Sequence, residues 1–269
     1  MLKISDVSKL LGVSQQSIRR YEELGMLDNV ETNESNRYRS YSIAPINVTM
    51  RILFFKSMGF GTKRIRELQQ TDQKSEIIDA LRLKQEEIRR QMDREAKILD
   101  KLSDLTFELE HFQDNRIELG TSPDFYFIPF FDSKDLIPTL DREYFHQWVE
   151  EMPLVNSAPY FERDAQGKYN ESFGYGLMAL KKHVANPALT DERHVRFFPA
   201  GPAIHFYVSC SILMGDTLDL ERLGFVFEFA EKHRLSLGSI IGRTLITYDR
   251  SRERSILHEF WALIENGRG

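Results

Sequence analysis

The first seventy residues carry apolar positions at a helical period, interrupted by glycines. Ile4, Val7, Leu10 and Leu11 lie on one helical face, with Ser5 as the expected N-cap, and Gly12 closes the helix. Ser14 then caps a helix predicted over residues 15–24, which Gly25 ends. Two short helices joined by a glycine-containing turn read as a helix-turn-helix. A polar stretch, 28–35, leads into Asn36-Arg37-Tyr38-Arg39-Ser40-Tyr41, where Arg and Tyr alternate as on the two faces of an extended hairpin. A second helix pair is predicted over 46–58 and 62–68, with Gly59-Phe60-Gly61 between them and Thr62 as the cap.

From Lys74 to Asp114 there is neither proline nor glycine, enough for one helix roughly 60 Å long at 1.5 Å per residue. Two seven-residue series run along it: Leu81, Ile88, Glu95, Leu102, Leu109, and Ile78, Gln85, Met92, Leu99, Thr106. Together they make an apolar seam with polar gaps. Such a seam must be covered, by a partner helix or by the chain's own carboxy-terminal domain. Beyond residue 120 the period changes to two. Strands are predicted over 125–131, 172–180, 203–210, 239–249 and 256–265, and helices over 141–152 and 218–233. The succession strand, helix, two strands is expected to occur twice, which suggests a duplicated α+β unit.

A chain of 269 residues accommodates two domains and a connector. The amino terminus lacks the apolar core of a signal peptide and no run could span a bilayer, so a cytoplasmic protein without membrane contact is expected. The single cysteine, Cys210, excludes an intrachain disulfide and a thiolate metal site. The seven histidines show no ligand spacing, so neither metal nor cofactor is expected. The net charge of −5 conceals an asymmetry: residues 1–72 carry 11 Lys and Arg against 8 Asp and Glu, and every later block is net negative. Phosphate binding depends on the local patch and not on the total. Residues 120–269 hold 23 of the 31 aromatic side chains, which suits an aromatic-lined cavity or simply a strand-rich core.

The order of motifs is specific: a helix-turn-helix, Arg20-Tyr21-Glu22 near the end of its second helix, Tyr38-Arg39-Ser40-Tyr41, then Met58-Gly59-Phe60 and Ile65-Arg66-Glu67-Leu68. Over residues 2–70 it resembles the winged-helix DNA-binding domain of MerR family regulators, with one departure: Arg20 stands where members usually have an aromatic residue. The element order beyond residue 120 resembles the gyrase-inhibitor-like effector domain of multidrug-sensing members. The resemblance implies a winged helix-turn-helix over 1–72, a dimerising coiled-coil helix over 73–115 and an effector-binding domain over 120–269. It also implies a homodimer on a palindrome in double-stranded promoter DNA. A small organic effector would distort that DNA so that RNA polymerase can use a promoter with overlong element spacing.

On that reading Gln15 and Gln16 face base edges, glutamine being suited to adenine, Ser17 bonds either a base or a phosphate, and Ser14 at the start of the helix belongs to the same DNA-binding set. Arg19, Arg20, Tyr21, Arg37, Tyr38, Arg39 and Tyr41 hold phosphate, Tyr41 having a core position beneath the hairpin as its alternative. Lys56 and Lys63 are further phosphate candidates. For the effector, alternation along 256–265 places Glu259 beside Leu257, Trp261 and Leu263, and resemblance puts a glutamate near this place in related domains. A buried carboxylate needs a partner: a cationic ligand stacked on aromatic rings, or a neighbour such as Arg243. Multidrug-sensing members carry their key acid on the strand matching 239–248, where this chain has Gly242 and Arg243. Arg243 would favour an anionic or polar effector instead. Phe173, Tyr175, Tyr207 and Trp148 are the aromatic candidates, each with a core position as its alternative. No Ser-His-Asp pattern, glycine loop or metal triad supports catalysis. Two other readings stay open: hydrolysis with Glu259 as general base, and a constitutive repressor or architectural protein without a ligand.

Overall fold

The computed structural model describes residues 2–28, 30–32, 39–132, 135–163, 166–169, 173–184, 186–211, 218–250 and 253–265. The chain divides into two compact units, Met1–Gln91 and Met92–Gly269. Among the described residues no helix is long and apolar enough to cross a membrane.

The first unit opens with a short strand, β1 (Leu2–Lys3), and α1 (Ile4–Leu11). Ser5 is not the cap. The cap position falls two residues earlier, at Lys3, whose N–H the Asp6 carboxylate accepts at 3.1 Å. Gly12 takes the left-handed conformation at φ 65°, as a residue without Cβ can. Ser14 caps α2 (Gln15–Glu23): its Oγ accepts the Ser17 N–H at 3.0 Å, an interaction worth about 1 kcal/mol. Gly25, at φ 66°, turns the chain away.

Next come β2 (Glu31–Thr32) and β3 (Arg39–Tyr41), which with β1 form a small sheet ordered β1-β3-β2. Arg37 and Tyr38 lie outside the described residues. Helix α3 (Ile43–Ser57) begins three residues ahead of its predicted start. In α4 (Thr62–Gln70) the cap position belongs to Gly61, whose lack of a side chain leaves that helix without a side-chain cap, contrary to the expectation for Thr62. Val7, Ile18, Tyr21, Tyr41, Ile52 and Ile65 fill the core, and Ala80 from the first turns of α5 (Lys74–His111) completes it.

The second unit joins the later turns of α5 to one large antiparallel sheet. Its elements are β4 (Ile117–Ser122), β5 (Phe125–Asp132), β6 (Asp135–Leu136), α6 (Arg142–Glu150), β7 (Asn156–Phe161), β8 (Gly174–Leu180), β9 (Arg196–Phe198), β10 (Gly201–Ser211), α7 (Gly224–Lys232), β11 (Leu237–Arg250) and β12 (Glu253–Ile264). The sheet order is β4-β10-β12-β11-β7-β8-β5-β6, with β9 also on β5. Within it β5-α6-β7-β8 and β10-α7-β11-β12 are two copies of one pattern. In each copy the first strand is outermost, the third is central, and the second meets its counterpart across the β11–β7 junction.

Alternation gives this sheet two distinct faces. One packs on the helices. Ile204, Phe206, Phe260 and Ile240 lie with Val226 and Ala230 of α7, and Ile128, Leu177 and Ala179 lie with Tyr144 and Trp148 of α6. The other face carries Phe125, Phe127, Tyr160, Ile241 and Trp261 in one cluster, and Tyr207, Leu245 and Leu257 against Leu105, Leu109 and Phe112. The later turns of α5 thus cover part of the face opposite α6 and α7.

Candidate functional site

Helix α2 is amphipathic, and its inner face is fixed by Ile18 and Tyr21. That burial turns Gln15, Gln16, Arg19 and Arg20 outward together, all four exposed. Ser14 and Ser17 are engaged with each other through a 2.8 Å hydroxyl pair at the cap, so their hydroxyls are shared between helix start and any ligand. Tyr21 is not at the surface as expected, and Tyr41 takes the core position given as its alternative. Tyr21 (4% exposed) and Tyr41 (1%) have their rings in the core, because a buried sheet–helix junction needs apolar area at both points. The Tyr41 hydroxyl donates to Glu22, whose other oxygen holds Arg39 at 3.1 Å. Burial, followed by the Glu22 contact, raises the Tyr41 pKa. Arg39 stays half exposed above this pair, and Lys56 and Lys63 are exposed on α3 and α4.

The second constellation lies on the sheet face opposite α6 and α7. Arg243 of β11, Glu259 of β12 and Tyr207 of β10 are direct cross-strand neighbours, and His205 and Trp261 are the next pair along. Glu259 is 2% exposed and accepts from Arg243 Nε at 2.5 Å and from His205 Nε2 at 2.9 Å. The Arg243 guanidinium lies 5.7 Å from the Trp261 ring centroid, and His205 stacks on that ring at 5.8 Å. Glu108 of α5 accepts the Tyr207 hydroxyl and stands 3.8 Å from Arg243, and Glu118 of β4 holds His205 Nδ1 at 3.3 Å.

The seven residues expected around an effector therefore separate. Glu259, Arg243, Tyr207 and Trp261 come together. Trp148, Phe173 and Tyr175 do not join them. Trp148 is fully buried beneath α6, Tyr175 is an odd-numbered residue of β8 and so faces the same side, and Phe173 packs into the α7 cluster. Period-two alternation shows which residues of one strand share a face but not which faces of two strands coincide.

Residues 2–72 match the family described as MerR HTH family regulatory protein. The amino-terminal unit carries a MerR-type helix-turn-helix domain. An uncharacterized HTH-type transcriptional regulator, slr0701 of Synechocystis sp., is 31% identical over 68 residues, 25% of this chain and 49% of its own. The chain thus spans about half the length of that curated relative. Among solved structures, the EcmrR–DNA complex in EcmrR-RPo is 17% identical, covering 97% of this chain and 100% of its own at a TM-score of 0.36. The amino terminus of MtaN, the Bacillus subtilis multidrug transporter activator, is 23% identical, covering 39% and 96% at 0.34. Likenesses this remote carry no inference about ligands or partners.

Outside the MerR-type domain, the charges that matter most include several that the sequence pattern did not single out. Glu108 and Lys101 belong to a helix whose seam drew the attention, yet Arg94, Lys101 and Glu108 form a third seven-residue series along it. Arg94 pairs with Glu151, Lys101 donates to Asn156 Oδ1, and Glu108 meets Tyr207. That repeat of charged residues, one position before the last three members of the first apolar series, was the available signal. Burial, then the nearby Glu259 charge, raises the Glu108 pKa. For His205 burial opposes the charged form, but hydrogen bonding and attraction from Glu259, with Glu118 and Glu108, outweigh it, and the pKa rises. For Lys101 burial dominates, Arg243 adds to it, and the pKa falls to about 7.

Proposed function

We propose that the chain is an effector-responsive, DNA-binding transcription regulator that works as a homodimer. The observation that carries this reading is the MerR-type domain with Gln15, Gln16, Arg19 and Arg20 presented together on one face of α2. In the proposed complex the glutamines read base edges in the major groove, while Arg19, Arg20, Lys56 and Lys63 hold phosphate. The β2–β3 hairpin acts as the wing, and Arg39 leaves Glu22 for the backbone. The exposed apolar positions of α5, among them Ile78, Leu81, Ile88, Met92, Leu99 and Leu102, pair with the same helix of a second copy as a coiled coil. An effector bound on the Glu259 face favours one arrangement of the dimer, distorts the promoter and admits RNA polymerase.

Footprinting on promoter DNA, with and without a panel of organic cations and anions, tests the whole scheme. A palindromic footprint whose hypersensitive positions change with one class of compound supports it; protection of no DNA fragment at low salt removes it. Arg39→Ala is expected to weaken binding to all sequences alike and to reduce the slope of log K against log salt by about one unit. An unchanged slope takes Arg39 off the phosphate set. One observation favours a second reading: Glu259 is already paired with both Arg243 and His205, as in a purely structural cluster. A constitutive repressor would show footprints indifferent to every compound.

A further inference from the structure

Most of the cations between the later turns of α5 and the sheet have been given an acid. Arg94 has Glu151, Lys182 has Asp100 and Asp104, and Arg243 has Glu259 and Glu108. Lys97, partly buried, donates to the Val184 carbonyl, and among the described residues Lys101 is the buried lysine of this set without an acid. It is 8% exposed, its ammonium donates to the neutral amide oxygen of Asn156 on β7, and no carboxylate among the described residues forms an ion pair with it. An ammonium held this way is an expensive thing to bury, since neither water nor an opposite charge repays its desolvation. The cluster around it is rich in cations of its own. Arg243 and Lys182 act on Lys101 as further positive charges, while Asp104 and Glu259 act only from beyond contact distance and are themselves bonded to Lys182 and to Arg243 and His205.

On the same sheet face lie Trp261, Tyr160 and Phe125, an apolar floor in a single cluster. The Trp261 ring already has His205 stacked on it and Arg243 close by, and Glu259 has no uncommitted oxygen. A lipophilic cation finds no free carboxylate at this place. A small anion with an apolar body finds a buried ammonium without an acid, on the sheet face that carries this apolar cluster.

We propose that Lys101 is the specificity-determining residue of the effector site and that the effector is a small organic carboxylate, its anionic head paired with the Lys101 ammonium. The proposal rests on the effector-sensing reading above and names the ligand class for it. Pairing raises the pKa of Lys101 from the neighbourhood of 7, so binding above that pH takes up a proton. The groups facing Lys101 are Arg243, Glu259, Asn156, Lys182, His183 and Asp104. Of these, His183 is the other titratable base, and its pKa is held below the usual value by burial and by Lys101 itself.

The test is titration calorimetry on the full chain with 1-naphthoate and, separately, tetraphenylphosphonium. The calorimetry is run at pH 8 in two buffers of different ionisation enthalpy. Naphthoate is expected to bind with uptake of about one proton, and Lys101→Gln to weaken it at least about 30-fold and to abolish the uptake. Lys101→Met, which removes the buried charge and keeps most of the length, is expected to raise the melting temperature of the ligand-free protein while losing naphthoate. Naphthoate binding without proton uptake, or binding that survives both substitutions, overturns the proposal, and the uptake in the unaltered protein decides even where a variant does not fold. Binding of the cation with none of the carboxylate overturns it too, yet leaves effector sensing standing. Heat from neither compound, together with footprints unchanged by any ligand, removes the sensing reading itself.

Discussion

Glu259→Ala is expected to destabilise the carboxy-terminal unit by about 3–5 kcal/mol, the largest effect of any single substitution proposed for it. The magnitude follows from what is left behind. Arg243 is 4% exposed and His205 is largely enclosed, and both spend a hydrogen bond on the one carboxylate. Removing that carboxylate strands a guanidinium that water does not reach, with only the more distant Glu108 to oppose it. Glu259→Leu combined with Arg243→Met removes both charges and should recover much of the loss, because a buried pair replaced by apolar groups is close to neutral. The difference is read as a coupling energy from a double-mutant cycle by urea unfolding. The His205 share carries a pH signature. Its folded pKa lies above the unfolded value of about 6.5, so the stability it contributes is fully present below pH 6.5 and is lost as pH rises through the raised value. Glu259→Ala should therefore hurt most in mildly acidic buffer. A loss under 1 kcal/mol at every pH means that solvent enters the cluster and that the charges are not truly enclosed.

The parts of this molecule that local rules determine were open to reading from the chain itself. Gly12 and Gly25 take positive φ at the ends of the helices they were expected to end, and Ser14 caps the helix it precedes. The long helix was visible because nothing between residues 74 and 111 breaks it. What escaped depended on contacts far apart in sequence. β7 was missed because it contains Pro159, which ordinarily argues against a central strand. The strand tolerates it because β11 pairs with β7 only at Tyr160 and Phe161, so at Pro159 no ladder bond toward β11 is forfeited. β4 was missed because its Gly120-Thr121-Ser122 end is polar and it pairs only with β10 at the sheet edge. With β7 in place, the half-seen duplication becomes two full copies. The site shows the same division. The Glu259 face followed from alternation on one strand, and Tyr207 joins it, whereas Phe173, Tyr175 and Trp148 take the core position left open as their alternative, on the helix side of the sheet. Tyr21 went astray for a related reason: a tyrosine beside arginines looks like a surface residue until its ring is needed by a small domain's core, the place that Tyr41 takes as its stated alternative.

The seam of α5 supplies the other large effect. Leu99 and Leu102 are 66% and 54% exposed in the isolated chain, three residues apart on one helical face, with Met92 and Ile88 continuing the line toward the amino-terminal end. Seven-residue spacing keeps such positions on one side of a helix, and a row of this length left in water is an unsatisfied hydrophobic surface. Leu109 is the exception within its series, since it turns into the cluster with Tyr207 and Leu257 and is satisfied within its own unit. Leu99→Glu together with Leu102→Glu should convert the expected homodimer to monomer. Four leucines leave the interface of a symmetric pair, each worth about 1.5–3 kcal/mol when buried. A loss of about 6 kcal/mol or more raises the dissociation constant by four orders of magnitude or more. Sedimentation equilibrium reads this directly. Far-ultraviolet circular dichroism should stay unchanged, because neither leucine belongs to either unit's core. The palindromic footprint should be lost with the dimer, since half-site contacts add only when two copies are joined. A double variant that still sediments as a dimer places the contact between copies elsewhere, and the row of apolar residues on α5 then needs a different cover.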